Sequence, residues 1–425
     1  MRSEGIVVDV AIVGAGAAGL ATAIFAARRM PGRAIVALDG AKKLGAKILV
    51  AGGGRCNVTN ERVTAGDFCG GSRNTIKQVL AALPVSRTVE FFRELGVTMH
   101  VEEHGKLFPD SNSAKTVLAA LIAEAERRGV RLLAGHRVTG ITRCDEHFEL
   151  STPRGPIAAR AVVLATGGRS LPKTGSDGGG YALAQSLGHT LVPTTPGLAP
   201  LVLDGDFHAP LSGIAQDVEL TLAIEGDKPI RIRGAMLWTH FGVSGPVVLD
   251  ASRHWHRATL EGRKVSMSAN LLPGCDFATA EKKLIDLAAV QPKTLLPNGL
   301  ATLIPARAAE AIVARLRIEP RIVMAHLNKD VRRALVHALV ECPLPVRDSR
   351  GYNFAEVTAG GVPLTEIDPA TMASRVCPGL FLVGEILDVD GRIGGFNFQW
   401  AWSSGYVAAD SLGRIFHKSS LRHHQ

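Results

Sequence analysis

Two glycine-rich stretches hold the residues of this 425-residue chain whose types and spacing point most directly to chemistry. In the first, Gly14, Ala15, Gly16, Ala17, Ala18 and Gly19 form the pattern G-x-G-x-x-G, and Asp39 follows 20 residues after Gly19. The first glycine of such a pattern allows a tight turn, the second lets a pyrophosphate reach the backbone, and the third lets a helix sit close on a strand. Free N–H groups and the positive dipole end at the helix start then favour the phosphates, while Asp39 is placed to accept from a ribose hydroxyl. In the second stretch, AGGGRCNVTN at 51–60, three glycines precede Arg55, Cys56 and Asn57. A backbone stripped of side chains there implies that something flat or anionic passes close to it.

These residues need a frame to hold them. VDVAIV (8–13) reads as a β-branched strand, an Ala-rich stretch to Arg29 as a helix, and AIVALD (34–39) as a second strand ending in the acid. AVVLATGG (161–168) is another buried strand, closing on Thr166 and Gly167, after the strand-like segments RVTGITRC, HFELST and PIAARA. LFLVGE (380–385) ends on Gly384 and Glu385, and DGRIGGFN leads into the helix-like AWSSGYVAADSLGRI. Together these outline an α/β flavoprotein fold in which FAD lies extended, Glu385 holds the ribitol and the last helix points its N-terminus at the flavin. A positive helix end there stabilises the reduced, anionic ring. A second G-x-G-x-x-G is missing from the sequence, so a separate NAD(P)H domain of the disulfide-reductase type is not expected.

Composition bounds the function classes. With 46% hydrophobic and 20% charged residues the chain is an ordinary globular one, long enough for two or three domains. Its net charge of +9 attracts anionic partners, yet the only compact basic run is the terminal RHHQ (422–425). The six cysteines include no C-x-x-C pair, so neither a zinc site nor a disulfide framework is signalled, and a reducing, cytoplasmic setting without a metal is expected. The apolar N-terminal stretch is broken by Asp9 and carries its arginines after the run, which suits neither a signal peptide nor a membrane span.

The chain resembles the BaiN/RdsA-type flavoproteins, also called aminoacetone-oxidase-like. The resemblance rests on GAKILVAGGGRCNVTN (45–60), GKLFPDSNSAKTVL (105–118), ATGGRSLPKTGSDGGGYALAQSLGH (165–189), LWTHFGVSGPVVLDAS (237–252), VTAGGVPLTEI (357–367) and GEILDVDGRIGGFNFQWAWSSG (384–405). It implies a Rossmann-like FAD-binding domain of the glutathione-reductase type, carrying an inserted β-barrel-like piece with a small helical subdomain. The expected boundaries are 1–197 and 351–425 for the FAD domain and 198–350 for the insert, with helices at about 276–340. TPGLAPLVL (195–203) marks the Pro-rich exit; VELTLAI, IRIRGAMLW and KVSMSANL read as strands of the insert.

The same resemblance lays Gly53, Gly54, Arg55, Cys56 and Asn57 along the flavin. It adds Val138, Thr166, Gly167, Gly384, Glu385, Gly394, Gly395, Phe396 and Asn397 to the cofactor contacts. It implies an FAD-dependent oxidoreductase, foremost an NAD(P)H-dependent reductase of an activated C=C bond in uridine of ribosomal RNA or in a steroid-like ketone. The alternatives are a peroxide-forming oxidase of small amines such as aminoacetone, and a flavin-bearing RNA-binding factor without turnover. No stable protein partner is implied. A C=C reductase needs an acid beside the reduced bond: Cys56 is the nearest candidate by sequence and His240 the other, while each also reads as an ordinary structural residue.

Overall fold

The computed structural model describes residues 6–422, with side chains to 417, so the side chains of the RHHQ terminus lie outside the described residues. The chain forms two compact units, one running to Thr194 and resuming at Glu356, the other spanning Thr195–Ala355. The sequence-based limits were 197 and 351.

The first unit is built on a parallel sheet. β1 (Ile6–Val13), α1 (Ala17–Arg29) and β2 (Ile35–Asp39) open it, followed by β3 (Arg131–Ala134), β4 (Ile157–Leu164) and β5 (Leu380–Leu382). β1 pairs in parallel with β2 and β4, β2 with β3, and β4 with β5, giving the order β3-β2-β1-β4-β5. The central strands bury both faces, which is why Val10–Val13 and Ala161–Leu164 read as unbroken apolar runs instead of alternating ones.

α1 is buried from Ala18 to Ala27, and its small residues let α2 (Phe396–Arg422) lie against it. A Cβ on Gly405 of α2 would stand 2.8 Å from Thr22 Oγ1 and 3.1 Å from Ala18 O. Arg29 closes the contact, bonding Asp410 at 3.1 Å and stacking 4.4 Å from the Tyr406 ring centre. The points at which the first unit is left and resumed adjoin: a Cβ on Gly360 would come within 2.5 Å of Pro193 O and 3.0 Å of Thr194 Cα.

The second unit has its own core and an antiparallel seven-stranded sheet. Its order is Cys342–Leu344, Val265–Asn270, Ala215–Ile224, Ile230–Thr239, Gly242–Ser244, Leu201–Leu203 and Val346–Ser349. The first and last of these strands are separated in the chain by Pro345 alone, so the sheet must curl until its edges nearly meet, a barrel-like form. Val218, Leu220, Leu222, Met236 and Trp238 alternate inward, and the helix Pro246–Leu260 packs on this sheet with Val247, Val248, Ala251 and Trp255 buried. Helices Phe277–Val290, Leu296–Leu300, Ala306–Arg315 and Lys329–Val340 form the small helical part. Asp276 and Asn328 cap two of them, accepting from Thr279 N at 2.8 Å and Val331 N at 2.9 Å. Among the described residues no helix is long and apolar enough to cross a membrane.

The α1–α2 contact yields a direct test. Gly405→Val should lower stability by about 1–3 kcal/mol through overpacking, seen as an earlier urea midpoint; an unchanged midpoint would mean that the helices do not depend on this close approach.

Candidate functional site

The turn between β1 and α1 shows three glycines with different reasons to be there. Gly14 sits at φ +104°, and a Cβ on it would stand 2.3 Å from Ala165 O, so the end of β4 excludes any side chain. A Cβ on Gly19 would lie 1.8 Å from Gly14 O. Gly16 is different: its φ is −83°, and a Cβ there meets no protein atom within 4 Å. The space in front of Gly16 is therefore kept clear for something other than the chain. Gly16 also caps α1 without a side-chain bond, and no acid lies in the first helical turn, so the helix start presents its N–H groups and positive end to that space.

Asp39 at the end of β2 accepts from Ala15 N at 2.9 Å and Ala41 N at 2.8 Å, which fixes the carboxylate beside the turn. The segment carrying Val138 runs alongside: His136 N donates to Asp39 O at 2.8 Å and Gly135 N to Ala41 O at 3.0 Å, and Val138 is buried. Thr166 and Gly167 continue from β4, and Thr166 packs so tightly on Gly180 that only glycine fits there, a Cβ falling 1.8 Å from Thr166 Oγ1. The cleared space, the uncapped helix start and the placed carboxylate together fit the pyrophosphate and ribose of a dinucleotide.

The loop GGGRCN turns sharply, with Gly52, Gly53, Gly54 and Cys56 all at positive φ between 58° and 86°. Gly53 and Gly54 face open space or a single distant atom, so they leave a bare strip of backbone. Arg55 turns away to bond Glu102 at 2.5 Å and to lie 4.0 Å above the Phe108 ring. Asn57, with its amide nitrogen towards Thr59 O (2.8 Å) and Leu107 O (3.2 Å), accepts from Gly395 N at 3.0 Å. It ties the glycine loop to the turn before α2, so its side chain serves the protein's own joint.

Cys56 is corrected here as a catalytic acid. Its side chain is 0% exposed within the main core, and burial pushes the thiol up to about 12. A thiol that reaches no open space cannot touch a ligand or exchange a proton with one.

Gly384 packs between the helices, its would-be Cβ 2.7 Å from Ala18 Cβ, while Trp400 Nε1 donates to its carbonyl at 3.1 Å. Glu385 joins a network that the sequence did not reveal. Its Oε2 takes Lys47 Nζ at 2.6 Å, and its Oε1 accepts from Ser170 Oγ and from Thr358 N, both at 2.9 Å. Lys47 also donates to Ser170 Oγ at 2.6 Å. Four segments distant in sequence thus meet at one carboxylate. Lys47, between apolar neighbours in GAKILV, was the one available signal.

Gly394 and Gly395 take φ values of +125° and +93°, and a Cβ on Gly395 would strike Thr59 O at 2.4 Å. Phe396 is buried, and Asn397 accepts from Gly391 N at 2.8 Å and donates to Gly391 O at 2.9 Å, closing the turn from which α2 starts. A polar hollow of about 480 Å³, lined by Asn60, Arg62, Asp67, His104 and Arg392 among others, adjoins this turn, since Asn60 Nδ2 donates to Gly394 O at 3.1 Å.

His240 belongs to the second unit, exposed at the bend between Ile230–Thr239 and Gly242–Ser244, with its ring 5.1 Å from that of Phe241. In that unit His254 and His256 on helix Pro246–Leu260 are pushed down to about 4, by burial first, and so are neutral at pH 7. Their i, i+2 spacing carries no signal in sequence.

Across residues 8–411 the chain matches the family described as "HI0933-like protein Rossmann domain". It belongs to that family. The HI0933-like family is that of the BaiN/RdsA-type flavoproteins, FAD-dependent oxidoreductases with a Rossmann-like FAD-binding domain. Among curated relatives, a ribosomal RNA dihydrouridine synthase of Escherichia coli is 34% identical over 404 residues, covering 95% of this chain and 98% of that protein. A 3-dehydro-bile acid delta(4,6)-reductase of Clostridium scindens is 32% identical, covering 94% and 97%. Among solved structures, the FrdA chain of E. coli quinol fumarate reductase superposes with a TM-score of 0.51 at 17% identity, over 99% of this chain and 72% of that one. A 3-ketosteroid delta1-dehydrogenase of Sterolibacterium denitrificans gives 0.50 at 12%, over 96% and 100%. These structural likenesses concern the fold shared with HI0933-like proteins.

The HI0933-like turn separates two kinds of glycine. Gly16→Val should leave the apoprotein folded with its circular dichroism intact but purify without FAD, whereas Gly19→Val should impair folding itself; Gly16→Val with stoichiometric FAD would refute the cleared-space reading. Alkylation of the folded protein should leave Cys56 unmodified while the half-buried Cys69 and Cys275 react. Peptide mass spectrometry decides it, and Cys56 labelling at the rate of the other two would contradict its burial.

Proposed function

We propose that this protein reduces the activated C=C bond of uridine in ribosomal RNA, with NAD(P)H as the electron donor. The observation that carries this is the end-to-end match to ribosomal RNA dihydrouridine synthases, 34% identical in E. coli and 33% in Haemophilus influenzae, over 95% of the chain in each case. The net charge of +9 supports it, because a polyanion is bound through phosphate contacts. The bile acid reductase among the relatives favours a second reading, a small unsaturated ketone at the same site.

Bound FAD, once reduced by NAD(P)H, would supply the hydride for the carbon β to the uracil carbonyl. The start of α1, Asp39, the bare backbone of Gly53 and Gly54, and the Glu385–Lys47 pair would hold the cofactor. It must also deliver one proton to the neighbouring carbon. The Cys56 thiol, enclosed in the core, is not that acid. The hollow, where Arg62 and His104 stand beside Glu61 and the Arg392–Asp67 ion pair, is the proposed resting place for part of the nucleotide substrate.

In a strain lacking the protein, the rRNA fragment should be lighter by the mass of two hydrogens, and the wild-type copy should restore it. RNA binding should weaken by at least about tenfold from about 50 to 200 mM salt, while NADPH oxidation by a small artificial acceptor barely changes. Unchanged rRNA mass together with peroxide formation from aminoacetone would replace this reading with the oxidase.

A further inference from the structure

The hairpin that leads into β4 carries a cluster outside the flavin site. Its strands are Gly140–Arg143 and Phe148–Ser151, paired with Arg143 opposite Phe148 and Thr142 opposite Glu149. Phe148 is fully buried and Arg143 lies 4.8 Å over its ring, so this pair marks the face turned towards the core. Side chains alternate along a strand, which puts His147 and Glu149 on the opposite face, together with Cys144 at the other end of the turn. Cys144 N donates to His147 O at 2.8 Å, so the turn is already closed and its ends are held near each other. The result is that Cys Sγ, an imidazole nitrogen and a carboxylate oxygen all lie within 4.8 Å of one another, His147 Nε2 being 3.9 Å from Glu149 Oε1.

We infer that Cys144, His147 and Glu149 form a zinc site. The donor set is the one Zn²⁺ takes: a thiolate, an imidazole and a carboxylate, at about 2.3, 2.0 and 2.0–2.2 Å from the ion. Such bond lengths place tetrahedral ligand atoms roughly 3.3–3.6 Å apart, so His147 and Glu149 need only small rotamer changes and Cys144 a modest one. His147 and Glu149 have side chains 43% and 63% exposed, which leaves the ion a path from solvent and a fourth position for water or for a carboxylate of the turn residues Asp145 and Glu146. On binding, the thiol proton leaves to solvent and the tip of the hairpin becomes cross-linked. The sequence signals were read for paired cysteines, and C-x-x-H-x-E on a two-residue turn escapes that pattern.

The test uses the FAD-loaded protein with Zn²⁺ alone as the probe. The rate at which iodoacetamide modifies Cys144 is followed by peptide mass spectrometry, with Cys69 and Cys275 as internal controls and Mg²⁺ as the control ion. One equivalent of Zn²⁺ should slow Cys144 at least tenfold and leave the other two unchanged, and Mg²⁺ should do nothing. His147→Ala and Glu149→Gln should each weaken zinc binding in calorimetry by at least about tenfold, since even outer partners of a metal site cost that much, with FAD content and circular dichroism as in the wild type. A Cys144 rate indifferent to Zn²⁺, or protection that persists undiminished in His147→Ala, overturns the proposal. The wild-type alkylation result stands by itself if a variant fails to fold.

Discussion

The approach of Gly19 to the carbonyl of Gly14 sets the distance between α1 and the sheet, and the remaining features of the first unit follow from it. A helix brought that near needs small residues along its length, hence the alanines from Ala18 to Ala27, and it leaves room on its outer side for α2 to nest with Gly405 against Thr22. Because α1 starts so near the ends of β1 and β4, its N-terminal N–H groups, the Asp39 carboxylate and the bare backbone after Gly52 lie within one unit built on that sheet. Burial of the core supplies the stability, and the tight glycine contact converts it into position.

A second set of constraints acts at longer range. Glu385 gathers Lys47, Ser170 and Thr358, while Asn57 links the glycine loop to Gly395. Charged groups at such a junction are held by several partners each, so loss of one leaves the others unsatisfied instead of merely weakening one bond. Rigidity near a cofactor comes at the expense of residues that look available for binding: Asn57, Asn397 and Arg55 all spend their side chains on the protein itself.

Much of this was legible in sequence where the signal is local. Gly14, Gly16, Gly19 and Asp39 fall in a fixed register around a strand and a helix, and the strand ends at Thr166 and Gly384 are short apolar runs closed by glycine. Lys47 was not legible, because its partner lies 338 positions away and no periodicity links them. Cys56 failed for another reason. It follows a glycine run that suggests an open loop, yet the left-handed turn at φ 64° swings its side chain inward to the core, which no residue type announces. The thiol, imidazole and carboxylate of the hairpin, Cys144, His147 and Glu149, were missed because the turn that folds Cys144 back beside the other two is not announced by paired cysteines.

The adjoining exit and return of the first unit, where Gly360 backs onto Pro193 and Thr194, has a consequence for how this family diversifies. An insert whose two ends leave from one point can be replaced whole, by a crossover at each end, without moving any strand of the first unit. Segments of the insert can therefore be lengthened, shortened or replaced while the strands of the first unit keep their places.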